Sequence, residues 1–261
     1  VSNSIIEHIK GHRSVRSYLD KEVPEEILTE VLEAGLRASS SGNMQSMSII
    51  VTREKAMKEK LFPLHFNQSM ALEAPVLLTF CADFNRMKKW LTVSKAPQNF
   101  DNFMSFMIGS IDATLASQNC ALAAESLGLG ICYMGTTLAS AHRIGEVLKL
   151  PKNVFPVVGF SLGYPSIKEE KKDRLSLAAI VHHEKYKDYS EEEISEIYKE
   201  REERGMKRYR SHPRLREVID SSNAQNLAQV YTKVKYTRES HIEYSENILD
   251  YLDAQNFRNP S

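Results

Sequence analysis

Apolar positions recur along the chain with two different periods, and together they predict a mixed set of elements. Ile5, Ile6 and Ile9 fall at helical spacing and predict a first helix over residues 3–10. Pro24 and two glutamates open a second helix over 24–38, whose Ile27, Leu28, Val31, Leu32 and Leu36 form one stripe. The short β-branched run SMSIIVT at 46–52 predicts a strand, residues 54–62 a charged helix, and VLLTFCA after Pro75 a second strand. Residues 103–128 predict a long helix that is apolar on most sides, the pattern of a helix buried in a core or a subunit interface. The glycines of GLGICYMG, 128–135, end it and bracket a short buried strand. A helix over 139–150, a buried strand over 154–165 and a last short strand over 177–183 follow. Beyond Tyr189 the chain turns charged. Residues 190–220 read as surface helices with too few large apolar residues for a separate core, and 239–256 as a final amphipathic helix.

Strands alternating with helices place the chain among mixed α/β or α+β proteins. No strand leads into a glycine-rich phosphate loop, which argues against a Rossmann or P-loop site. The 261 residues carry 34 basic and 34 acidic side chains, so no nucleic-acid partner is indicated. Cys81, Cys120 and Cys132 each lie in an apolar run without C-x-x-C spacing, which predicts buried free thiols, no metal site and a reducing, cytoplasmic compartment. Asp112, Gln118, Asn119 and Glu125 interrupt the longest apolar stretch, so no membrane span is expected. His182 and His183 have no third ligand at metal spacing. Asp112 and Glu125, 13 residues apart, read as buried hydrogen-bonding partners and not as an acid pair.

Three segments carry candidate chemistry. In GHRSVRSYLD, residues 11–20, an extended backbone puts His12, Ser14 and Arg16 on one face, a strip of donors suited to an elongated anion. RASSSGNMQS, residues 37–46, is a donor-rich connection between a helix and a strand. In KKDRLS, residues 171–176, Lys172 and Arg174 share a face and can hold a terminal phosphate between a point charge and a planar fork. Read alone, each also fits a solvated turn, a helix cap or an exposed loop.

Taken together and in this order, these segments resemble the nitroreductase and flavin reductase family, specifically its larger NADPH-preferring branch. HRSVRSY, ASSSGNMQSMSII, FCADFNR, QNCALAAESLGLGICYMG and GYPSIKEEKKDRL followed by VHHEKY carry the resemblance. It implies an α+β fold, mainly an antiparallel sheet flanked by helices, in an intertwined homodimer. Residues 1–189 would form the FMN-binding part, with 190–261 a helical extension of the same domain that wraps the partner subunit. The implied FMN contacts are His12, Arg13, Ser14, Arg16, Ser40, Gln68, Tyr133, Met134, Gly135, Thr136, Lys172 and Arg174, with Arg16 stabilising negative charge on the flavin. Asn43 falls on the substrate side, and Arg204, with Lys207 and Arg208, where relatives hold the NADPH 2′-phosphate. The implied activity is FMN-dependent reduction of nitroaromatics, quinones or free flavin by NADPH or NADH in a ping-pong cycle. The alternative is a non-enzymatic FMN carrier. Two departures stand out: Thr136 where the family often has glycine, and Gly42-Asn43 where bulkier residues are common. Both are expected to alter the surface on which substrate stacks.

Overall fold

A computed structural model describes residues 3–211 and 213–258; the outermost ends of the expected 1–189 and 190–261 segments lie outside it. It divides into two compact units. Residues up to Lys171, together with those from Tyr244 onward, form the first, and Lys172–Glu243 the second. The last helix thus ends in the first unit.

In the first unit, β1 (Met47–Thr52), β2 (Val76–Asp83), β3 (Gly130–Tyr133) and β4 (Val154–Gly163) form one antiparallel sheet in the order β1-β2-β4-β3. All of β2 is buried, as its unbroken apolar run requires of a central strand. The helices of this unit are α1 (Ser4–Lys10), α2 (Glu25–Leu36), α3 (Lys55–Leu61), α4 (Met70–Glu73), α5 (Asn85–Val93), α6 (Phe103–Ser126), α7 (Thr136–Ala139) and α8 (Ala141–Val147). Asn3 and Asn102 cap α1 and α6 by accepting from the amides of Ile6 and Ser105. Leu28 and Val31 of α2 pack with Ala113, Ala116 and Cys120 of α6 over Val76, Leu78, Phe80 and Phe160 of the sheet. Burying each such aliphatic side chain contributes roughly 1.5–3 kcal/mol. Gly35 is required by this packing, since a Cβ there would lie 2.2 Å from Cys120 Sγ.

α6 is indeed apolar nearly all round. One side fills the core, while Met104, Met107, Ile111 and Leu115 form an exposed stripe on the other. The helix expected over 139–150 is found as α8, preceded by the short α7, and Ser140 between them donates its hydroxyl to the Leu64 carbonyl at 2.8 Å.

The second unit holds α9 (Glu191–Ser211), α10 (Pro213–Ser222), α11 (Leu227–Val230) and the start of α12 (Arg238–Ala254). It has a small core of its own, Met206, Tyr209, Ala224, Leu227 and Val230, against the expectation of none. Glu202 fastens it by accepting from the Leu227 and Ala228 amides at the start of α11. The strand expected over 177–183 is absent. Leu177–Ala179 is a single 3-10 turn, and His182 packs on Tyr186 and Tyr189 rather than ending a strand. A lone strand with no neighbour to pair with leaves its backbone groups unmet, and here the local turn satisfies them.

Candidate functional site

Segment 12–18 runs out of α1 and docks on the free edge of β3. Ser14 forms an isolated parallel bridge with Ile131, and the Val15 amide donates to the Ile131 carbonyl at 2.8 Å. Tyr18 closes the segment. Its hydroxyl lies 2.8 Å from Ser161 Oγ and 2.8 Å from the Val15 carbonyl, and burial pushes its pKa well above the ordinary tyrosine value. Val15 and Tyr18 turn into the core, while Arg16 is exposed. Gly130 makes the close approach possible, because a Cβ there would lie 2.5 Å from a Val15 methyl.

The basic side chains of this strip leave polar atoms to spare. His12 Nδ1 lies 2.7 Å from Glu125 Oε1. Arg13 donates to the Gly11 carbonyl at 3.1 Å, yet its Nε is buried without a partner. Arg16 is exposed and makes a long hydrogen bond of 3.4 Å to the Ser14 carbonyl. A cavity of about 520 Å³ opens beside Arg13, Val15, Glu125, Gly130, Pro165 and Lys168. An unpartnered guanidinium nitrogen, a histidine and a serine along one strip fit an elongated anionic group such as a flavin phosphate and its ribityl chain.

Beside that strip, β3 leads into Tyr133, Met134, Gly135 and Thr136. The Tyr133 hydroxyl lies 3.1 Å from Ser117 Oγ of α6, and burial raises its pKa to about 12. Met134 is buried, and Gly135 is exposed with open space where a side chain would go. Thr136 does not project outward. It is buried, with Oγ1 2.9 Å from Nδ1 of the equally buried His65, so its side chain packs inward instead of adding bulk to a stacking surface. Burial lowers the His65 pKa to about 4. His65 also begins the turn that carries Gln68, whose amide donates to the His65 carbonyl at 3.2 Å. The Gln68 turn and the Tyr133–Thr136 segment are thus joined through one neutral imidazole. Sequence reasoning did not single out His65; a lone histidine in an apolar stretch has no spacing signal.

The serine-rich loop is anchored elsewhere on α6. Ser40 donates from Oγ to Asp112 Oδ2 at 2.7 Å, and the Ser41 amide donates to Oδ1 at 3.1 Å. Asn43 is exposed at the tip. Asp112 and Glu125 therefore serve as the hydrogen-bonding partners their positions suggested. Their separation of 13 positions places the Ser40 and His12 anchors about 20 Å apart along the helix axis, at ~1.5 Å per residue. Within one chain, the structure does not bring these two parts of the expected site together.

Lys172 and Arg174 lie in the second unit, exposed, with Arg174 donating to the Asp173 carbonyl at 3.0 Å. Arg204, Lys207 and Arg208 stand exposed on α9, and Arg204 is hydrogen-bonded to Glu200 one turn back. The three thiols are buried, and burial raises the pKa of each, Cys120 to about 12, so none is poised as a thiolate. Among the described residues no helix is long and apolar enough to cross a membrane.

Comparison with known proteins places this arrangement in context. The model of the nitroreductase family matches residues 9–164. The FMN reductase (NAD(P)H) of Bacillus subtilis is 33% identical over 258 residues, 98% of either chain. The oxygen-insensitive NADPH nitroreductase of Salmonella typhimurium is 34% identical over 74% of this chain and 82% of its own. Among solved structures, the NADPH:FMN oxidoreductase of Vibrio harveyi complexed with NAD+ superposes with a TM-score of 0.78 at 30% identity, covering 98% of this chain and 99% of that one.

Proposed function

The chain belongs to the nitroreductase family, and on that premise we propose that it is an FMN-dependent NAD(P)H oxidoreductase that reduces nitroaromatics, quinones or free flavin. The observation that carries this reading is the donor strip His12–Arg16 laid against β3 with Arg13 Nε buried and unmatched. The names of its relatives, which span FMN reductases and NADPH nitroreductases, supply the reaction class.

When bound, FMN would supply the redox chemistry, two-electron transfer from the nucleotide to the acceptor. The protein residues bind and orient. His12, Arg13 and Ser14 would hold the phosphate end with charge-assisted hydrogen bonds. Arg16 supplies fixed positive charge that favours negative charge on the ring. The backbone of Tyr133–Thr136 forms a wall for the ring, set in place by Ser117 and His65, and Gln68 reaches its edge. Ser40 and Asn43 complete the site from a second copy of the chain. The ~20 Å separation between the two anchors on α6 supports this division, as does the exposed stripe of Met104, Met107, Ile111 and Leu115, an apolar face that a homodimer would cover. Arg204, Lys207 and Arg208 bind the 2′-phosphate of NADPH.

Steady-state oxidation of NADPH and NADH by the FMN-loaded protein, with a quinone or nitroaromatic as acceptor, tests the reading. Sustained turnover supports it. Bound FMN without turnover would favour the carrier alternative, and failure to bind FMN would refute both.

A further inference from the structure

The serine-rich loop adopts a conformation that its own residues disfavour. Gly42, Asn43 and Gln45 all have positive φ, at 56°, 54° and 51°. Two of the three carry side chains, for which this region is costly. Something outside the loop must hold it there, and the hydrogen bonds converge on a single group. Asp112 of α6 is 2% exposed. Its Oδ1 accepts from the Ser41 amide at 3.1 Å, and its Oδ2 accepts from Ser40 Oγ at 2.7 Å, the Ser46 amide at 3.0 Å and Ser46 Oγ at 2.7 Å. The carboxylate thus clamps the loop at both ends, residues 40–41 and residue 46.

The same contacts set the polarity of Ser40. A hydroxyl has one hydrogen and two acceptor positions. The Ser40 hydrogen is committed to Asp112, and one acceptor position is taken by the Gln45 amide at 2.7 Å. What remains is a single lone pair on a half-buried oxygen. Ser40 can therefore take a hydrogen from a ligand N–H but cannot donate to a ligand carbonyl.

We propose that Asp112 is the positioning residue of the flavin site: it holds loop 40–46 in its left-handed geometry, fixes Ser40 as a pure acceptor toward an isoalloxazine N–H, and sets where Asn43 meets the electron acceptor. The proposal rests on the FMN reading above. Asp112 touches neither flavin nor substrate and acts through the loop. Substituting Asp112→Asn keeps the shape but turns one oxygen into a donor facing donors, which breaks the clamp and frees the Ser40 hydroxyl to rotate.

Two measurements on the full-length protein test this. The first is amide hydrogen exchange of the flavin-free protein, read on peptides spanning residues 40–46. Asp112→Asn should speed exchange of the Ser41, Gln45 and Ser46 amides by about tenfold or more. The second is the Kd for FMN, with the KM for a quinone acceptor. Asp112→Asn should raise both by roughly tenfold while changing kcat less, and adding Ser40→Ala to it should cost little more FMN affinity, because both act through one hydroxyl. Cys120→Ala, a core change on the same helix, should lower the melting temperature without moving either constant. If Asp112→Asn fails to fold, Ser46→Ala removes one of the four bonds and should give the same pattern at a few-fold.

Unchanged loop exchange would overturn the clamp. Faster exchange with unaltered FMN Kd and acceptor KM would overturn its role toward the flavin, as would fully additive losses from Asp112→Asn and Ser40→Ala. A wild-type protein that binds no FMN, with exchange still accelerated in the variant, would sink the functional reading and leave the clamp supported.

Discussion

Acid should weaken this protein through one identifiable group. His65 is 2% exposed, and burial lowers its pKa from 6.5 to about 4. Above pH 6.5 the ring is neutral in both folded and unfolded chains, and pH has no effect through it. Between 6.5 and about 4 the unfolded chain takes up a proton that the folded interior refuses, so stability falls as pH falls. Below about 4 both states are protonated and the loss is complete. At ~1.4 kcal/mol per unit, the total is about 3 kcal/mol, an order-of-magnitude figure. That is a large share of the 5–15 kcal/mol that typically holds a domain together. The perturbation is His65→Asn, which keeps a hydrogen-bonding group near Nδ1 for Thr136 and removes the titration. The assay is urea unfolding of both proteins at a series of pH values from neutral to mildly acidic. Other titrating groups are common to both, so the difference in unfolding free energy isolates His65. It should shift in favour of the variant by about 3 kcal/mol over this window. Parallel curves would refute the reasoning, because they would mean that His65 protonates in the folded state as readily as in the unfolded one.

Other outcomes follow from the geometry. Gly130→Ala places a Cβ 2.5 Å from a Val15 methyl, so it should push the donor strip off β3, with an overpacking cost of about 1–3 kcal/mol in denaturant titrations and weaker FMN retention in dialysis. Ile111→Asp, on the exposed stripe of α6, should halve the mass seen by light scattering while the circular dichroism spectrum is kept; an unchanged mass would place the partner surface elsewhere. Arg204→Ala should raise the KM for NADPH by up to about tenfold and leave NADH unchanged, since the 2′-phosphate is remote from the transferred hydride and contributes uniform binding. The exposed pairing of Arg204 with Glu200 holds the effect to that low end, and equal losses with both nucleotides would make the segment structural.

The elements that sequence periodicity located best are those whose packing is one-sided or fully enclosed. Ile27, Leu28, Val31 and Leu32 mark a single helical face, and the run at Val76–Asp83 is apolar because both faces of β2 are covered. Periodicity failed where an apolar run had no tertiary partner. The apolar letters of 177–183 suggested a strand, but a strand needs a neighbour, which local pattern does not supply. The small core around Tyr209 and Leu227 was hidden by the charges that surround it in sequence. In the site, the donor strip stood out only once its segment was read together with the others in order. The groups that hold the site were not: Asp112 is 66–72 residues from the serines it holds, and His65 is 71 from Thr136. Thr136 also shows that a departure from a family pattern can point inward and leave the exposed wall to glycine.

The central claim is that this chain carries FMN and that reduced pyridine nucleotide delivers electrons to it. The most direct test is the visible spectrum of the purified, FMN-loaded protein under anaerobic titration with NADPH, followed by chromatography of the flavin released on denaturation. The account predicts a yellow protein that is bleached stoichiometrically by the nucleotide, regains its colour on addition of a quinone, and releases FMN. A protein that stays colourless after incubation with FMN, that releases FAD instead, or whose bound flavin is not bleached by NADPH or NADH would contradict it.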